Sequence, residues 1–227
     1  MYLNGGWQLN KVIAFGDSFT YGHELSDCPT NDCSTYSKLS YAALVAHHLG
    51  REYVCQAVGA YANNAISRRI IDYLDFFVPE DLVLVMWTFP IRREFLLDGN
   101  IGRCSITTTD DFDFALNYFK HLDTNSCYLI AETLKEIYIA QTVLKSKGVN
   151  YIFMSADTGI CNAIHTKDII YSKLITMIDF DNWLLLENNL GFNDWAKKEL
   201  RLNFGDNHPP DFAHQLLYNK IIEKIHE

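Results

Sequence analysis

A chain of 227 residues with 48% apolar and 14% aromatic side chains is long enough to bury one sizeable core and too apolar to stay disordered, so a single domain spanning residues 1–227 is expected. A formal charge of -9, with no basic cluster longer than Arg68-Arg69 or Arg92-Arg93, argues against a phosphate-backbone partner and removes nucleic acid from the expected ligands. No run approaches the roughly 20 apolar residues that span a bilayer, and the opening residues lack the charged start and apolar centre of a signal peptide, which predicts a cytoplasmic or otherwise soluble protein.

In chain order, Lys11 to Phe15 is an apolar run that predicts a first strand, followed at once by Gly16-Asp17-Ser18-Phe19. Leu39, Ala42, Ala43, Ala46 and Leu49 recur at helical spacing and stop at Gly50, a suitable C-terminal cap. Tyr53 to Val58 predicts a second strand, ending at Gly59. Asn63 or Asn64 is suited to cap a helix whose apolar stripe is Ile66, Ile70, Ile71, Leu74 and Phe77. A third strand is expected over Leu82 to Thr88. Residues 110–147 read as helix, broken near Asp123-Thr124-Asn125-Ser126 and stopped by Gly148. Tyr151 to Ser155 predicts a fourth strand, and Leu174 to Asp179 a weaker fifth. Pro209-Pro210 precedes Asp211, a candidate N-cap for a last helix carrying Leu216, Leu217, Ile221, Ile222 and Ile225.

Apolar runs alternating with amphipathic stretches are the pattern of a parallel sheet covered on both faces. The expected fold is therefore α/β, a three-layer α/β/α sandwich around a central, mostly parallel five-stranded sheet of flavodoxin-like type. Ligands of such sheets bind beyond the carboxyl ends of the strands, and Ser18, Gly59, Asn63 and Thr88 all fall there. The six cysteines, at 28, 33, 55, 104, 127 and 161, form no CxxC pair or metal-ligand rhythm. Reduced, structural thiols are the expectation, although Cys28 and Cys33 lie close enough in the chain to pair. There is no Walker loop, GxGxxG fingerprint, GxSxG elbow or HExxH pattern, and neither cofactor nor metal is expected.

A serine at a strand end becomes a nucleophile only if a histidine takes its proton and a carboxylate steadies the ring. Gly205-Asp206-Asn207-His208-Pro209 offers both, just before the last helix. Asp211-Phe212-Ala213-His214 is a rival pair, but Asp211 is placed as a cap and His214 inside the first helical turn. With Gly16-Asp17-Ser18 after the first strand and His208-Pro209 before the last helix, the chain resembles the SGNH hydrolases, also called GDSL-like lipases and esterases. The resemblance implies Ser18 as nucleophile, His208 as base and Asp206 as carboxylate, although the usual Asp-x-x-His spacing is here one residue shorter. It also implies an oxyanion hole made by the backbone N–H of Ser18 and of Gly59, or of Ala60 if the loop differs by one residue. The family's Gly-x-Asn-Asp block is replaced by Met86-Trp87-Thr88-Phe89-Pro90, leaving Asn63 or Thr88 to supply the missing donor. Arg92-Arg93-Glu94 matches an Arg-x-Glu-like segment of divergent members. The implied activity is cleavage of a carboxylic ester, a small acyl or carbohydrate O-acetyl ester, through an acyl-enzyme. The alternatives are a non-catalytic carbohydrate-binding or assembly module with a degenerate site, or an O-acyltransferase.

Overall fold

The computed structural model describes residues 11–30, 34–97, 100–102, 113–121, 127–163, 172–205 and 208–227. Its elements are β1 (Lys11–Phe15), α1 (Ser18–Tyr21), α2 (Tyr41–His48), β2 (Glu52–Cys55), α3 (Asn63–Asp72), β3 (Leu82–Trp87), the hairpin β4 (Phe95–Leu97) and β5 (Asn100–Gly102), α4 (Asp113–Lys120), α5 (Cys127–Lys147), β6 (Asn150–Ser155), α6 (Thr158–Ala163), α7 (Ser172–Ile175), α8 (Phe192–Lys198) and α9 (Asp211–His226). Four strands form a parallel sheet in the order β2-β1-β3-β6, a flavodoxin-like arrangement.

Strand alternation sorts the side chains into two cores. Ile13, Phe15, Val83, Val85 and Trp87 face one side, against Ile66 and Ile70 of α3 and Leu134, Ile137 and Leu144 of α5. Val12, Ala14, Leu84 and Met86 face the other, against Val45 of α2, Trp195 of α8 and Leu217 and Ile221 of α9. All six β3 residues are buried, because a central parallel strand has helices over both faces. Burying each large aliphatic chain contributes about 1.5–3 kcal/mol, so this layering is the main force that fixes the strand ends at which the site is built.

Four expectations need correction. Leu174 to Asp179 is not a strand: it begins in α7, and the Gln141 amide donates to Met177 O (2.9 Å) and accepts from Asp179 N (2.7 Å), occupying backbone groups that sheet pairing would need. Among the described residues the sheet therefore has four strands, and beyond β3 they touch β6 at a single parallel bridge, between Phe153 and Trp183. Neither Asn63 nor Asn64 caps α3, whose N-cap is Ala62. Asp211 is the first helical residue of α9 rather than its cap; its carboxylate instead accepts from Ser26 N (3.0 Å) and Ser26 Oγ (2.6 Å). Cys55, Cys127 and Cys161 are in no disulfide, whereas Cys28 is disulfide-bonded, against the expectation of reduced thiols. Cys33, its candidate partner from the sequence, lies outside the described residues.

Candidate active site

The turn that carries Ser18 is fixed from beneath. Asp17 closes β1, is fully buried, and caps α1 by accepting from Phe19 N at 3.0 Å. Its other carboxylate oxygen accepts from Thr88 Oγ1 and Arg92 Nη1, both at 2.6 Å, and Arg92 Nη1 also donates to Thr88 Oγ1 at 2.8 Å. A buried carboxylate needs such partners, since an uncompensated charge in the interior is costly. The Arg92 guanidinium lies 5.0 Å from the centre of the Phe89 ring. Gly16 is required where it stands, because a Cβ there would meet Thr20 Oγ1 at 2.1 Å.

On that turn Ser18 is 5% exposed, and its Oγ lies 2.7 Å from Nε2 of His208. The two residues come from opposite ends of the chain, 190 positions apart. The His208 ring is set edge-on against Phe19, with centroids 5.3 Å apart, and against His23 at 6.1 Å. The remaining contact of that ring was not foreseen. Glu24, in the loop after α1, places Oε1 3.1 Å from His208 Nδ1, and its Oε2 accepts from the His208 backbone N at 3.0 Å. The Nδ1 contact is at ion-pair distance but poorly angled, so Nδ1 makes no directed hydrogen bond among the described residues. Burial pushes the Glu24 carboxyl up, but the backbone N–H and ring of His208 more than offset this, and the group sits below its ordinary value. Asp206, the carboxylate implied by the sequence, lies outside the described residues.

Backbone donors flank the serine. Val58 N donates to Gly16 O at 3.3 Å, which ties the segment after β2 to the turn that carries Ser18. The N–H groups of Ser18 and Gly59 have no acceptor among the described residues. A Cβ at Gly59 would stand 2.7 Å from Cε1 of His23, so the imidazole would have to move to admit one. Ala60 beside it has a left-handed φ of 62°, the kind of local strain that concentrates at functional sites. The side chains of Asn63 and Thr88 are otherwise engaged. Asn63 Nδ2 donates to Thr88 O (3.0 Å) and Thr133 Oγ1 (3.2 Å), and its Oδ1 accepts from Thr88 N (2.8 Å). Both amide hydrogens are used, so Asn63 serves as a buried brace joining α3, the end of β3 and α5.

His214 is fully buried, and its Nδ1 accepts from Tyr41 N at 3.1 Å, pinning the start of α2 to α9. Burial pulls its imidazole down to about 3. A ring so placed is a neutral structural group and has no path to Ser18's proton. Glu24 is the contact that sequence reasoning missed; Arg92 was noted in its Arg-x-Glu-like segment, but not its pairing with Asp17. Gly22-His23-Glu24, within a few residues of Ser18, was the available signal, but no spacing rule links it to His208. Among the described residues no group of three or more His, Cys, Asp or Glu side chains could hold a metal ion, and no helix is long and apolar enough to cross a membrane.

No protein-family model and no curated protein matches the chain. Solved structures do. A member of the lipolytic protein G-D-S-L family from Veillonella parvula DSM 2008 superimposes with a TM-score of 0.50 at 13% identity, over 94% of this chain and 96% of that one. An acetyl xylan esterase from the rumen bacterium Butyrivibrio proteoclasticus gives a TM-score of 0.51 at 15% identity, over 95% of this chain and 63% of that one. A carbohydrate esterase family 2 enzyme with a carbohydrate binding domain, from Corynascus thermopiles, gives 0.51 at 14% identity, over 96% of this chain and 67% of that one. At these identities the likeness is one of architecture: the chain has the three-layer α/β/α fold of G-D-S-L lipolytic proteins and carbohydrate esterases.

Proposed function

We propose that the protein is a serine esterase in which Ser18 is the nucleophile and His208 the general base. The observation that carries this reading is the 2.7 Å approach of Ser18 Oγ to His208 Nε2 at the carboxyl end of the sheet. With a carboxylate beside Nδ1, the neutral ring carries its hydrogen there and presents a lone pair at Nε2. As Ser18 Oγ bonds to the ester carbonyl carbon, its proton passes to Nε2. The carbonyl oxygen takes up negative charge and is met by the N–H groups of Ser18 and Gly59. Collapse breaks the bond to the alcohol, which leaves with the proton from Nε2, and an acyl-serine remains. Water then attacks the acyl carbon, giving a proton to His208; the bond to Ser18 Oγ breaks, Ser18 takes that proton back from Nε2, and the acid is released.

Small acyl esters and carbohydrate O-acetyl esters are the proposed substrates. Support comes from the fold shared with an acetyl xylan esterase and a carbohydrate esterase. The engagement of Asn63 and Thr88 leaves the oxyanion to backbone donors, which suits activated or small esters over demanding ones. The test is p-nitrophenyl acetate turnover and fluorophosphonate labelling of the wild type, Ser18→Ala and His208→Ala. Label is expected on Ser18 only, and turnover should fall by at least about a thousandfold in either variant. Equal turnover in all three proteins, or label retained by Ser18→Ala, would sink the assignment.

A further inference from the structure

Resting on the reading of Ser18 and His208 as the catalytic pair, we propose that Glu24 is the carboxylate that positions His208. The role expected of an aspartate just upstream of the histidine is thereby moved to the loop that follows the nucleophile's own helix. Glu24 holds His208 at two points: one oxygen faces ring Nδ1 at 3.1 Å, and the other receives the main-chain N–H at 3.0 Å. A carboxylate that grips both the ring and the backbone of one residue fixes the ring's tautomer and its reach toward Ser18.

The loop is built to hold that carboxylate. Glu24 has a left-handed φ of 66°, a conformation that a non-glycine residue keeps only when its surroundings impose it. Glu24 N donates to Cys28 O and Cys28 N to Leu25 O, both at 2.8 Å, closing a tight turn whose Leu25 is fully buried. Asp27 accepts from Ser37 Oγ, and from Lys38 N at 2.8 Å. Two residues beyond Glu24, Ser26 donates twice to Asp211, so the same turn grips the chain at both His208 and Asp211. The poor angle at Nδ1 does not remove the attraction, since catalytic hydrogen bonds often straighten only when the charged ring forms.

During acylation the Ser18 proton moves to Nε2 and an imidazolium appears. Glu24 stays ionised throughout and neutralises that charge across Nδ1–H; no proton need leave the ring on that side. Among the described residues, the charged and titratable groups facing His208 are Glu24 and His23 from the loop and, from α9, the neutral His214; Asp17 is already matched by Arg92.

Glu24→Gln, Glu24→Asp, Asp206→Asn and Ser18→Ala should be compared with wild type on p-nitrophenyl acetate, with circular dichroism to confirm folding. Glu24→Gln keeps the shape and the backbone contact but loses the charge. Its kcat should fall about a hundredfold or more with KM little changed, and the acid limb of kcat/KM should move to lower pH, because the base has lost a stabilising anion. The downfield Nδ1–H proton resonance of His208 should vanish in Glu24→Gln and survive in Glu24→Asp, which should also keep the wild-type acid limb. A folded Glu24→Gln with wild-type kcat and an unmoved limb would overturn the proposal. So would Asp206→Asn showing the larger loss and the moved limb. Ser18→Ala separates the two failures: if it retains turnover, the catalytic pair itself falls and Glu24 with it.

Discussion

Asp17 shows how one side chain ties recognition of a motif to its physics. On the proposed mechanism the aspartate beside the serine takes no part in proton transfer, yet it accepts from Phe19 N, Thr88 Oγ1 and Arg92 Nη1 while fully buried. Removing Arg92 would leave that charge opposed only by neutral donors, and breaking a largely buried pair costs about 3 kcal/mol. Arg92→Ala should therefore lower the thermal midpoint by several degrees and reduce turnover through a shifted Ser18. Arg92→Lys should recover part of both, as it restores charge without the planar fork. Thermal unfolding and esterase assays on the same preparations check this; an Arg92→Ala protein as stable and active as wild type would show that Thr88 alone suffices. Glu24 is the opposite case, a residue with no local signature, 184 positions from its partner.

Among the elements, β1, β2, β3 and β6 were legible because continuous apolar runs bounded by polar turns admit few other readings. α2, α5 and α9 were legible from their stripes; α4 ends at Lys120 and α5 begins at Cys127, while the expected break at Asp123 to Ser126 lies outside the described residues. What failed were end effects. A cap depends on which side chain the tertiary structure has already claimed, and Asn63 and Asp211 are claimed by Thr88 and Ser26. The fifth strand failed for a similar reason: a distant glutamine on α5 took its backbone bonds. At the site, Ser18 and His208 could be read because both stand beside unusual neighbours at element ends, whereas the commitment of Asn63 and Thr88 could not. Element docking also yields a test. A Cβ at Gly191, the N-cap of α8, would lie 2.4 Å from the Asp157 carbonyl carbon and 2.6 Å from Ala156 O. These are backbone atoms held by β6 and cannot yield, so Gly191→Ala should destabilise by about 1–3 kcal/mol in denaturant unfolding, with the Ser18 site affected only through global stability. A substitution cost near zero would mean that α8 shifts freely on the sheet.

Across the whole molecule, His214 couples the last helix to the second and makes stability depend on pH. In the folded chain its imidazole is depressed from 6.5 to about 3 by burial, so between those values the unfolded state binds more protons. Stability is thus full above roughly pH 6.5 and falls as the medium is acidified, by about 2 kcal/mol between pH 7 and pH 5 from this group alone. His214→Gln should be less stable at neutral pH but show a flatter dependence over that interval, measured by urea unfolding at a series of pH values. An unchanged slope would mean that another group controls the acid response.

The bonds of Ser18 to His208, Ser26 to Asp211, Tyr41 to His214 and His48 to Tyr218 span 190, 185, 173 and 170 positions. They form a seam along which the first third of the chain is fastened to its final helix and the histidine just before it. Contacts so distant in sequence are entropically late to form during folding. On the proposed mechanism, ester turnover would then report the closing of this seam, so that in refolding the return of activity should trail the return of helical circular dichroism.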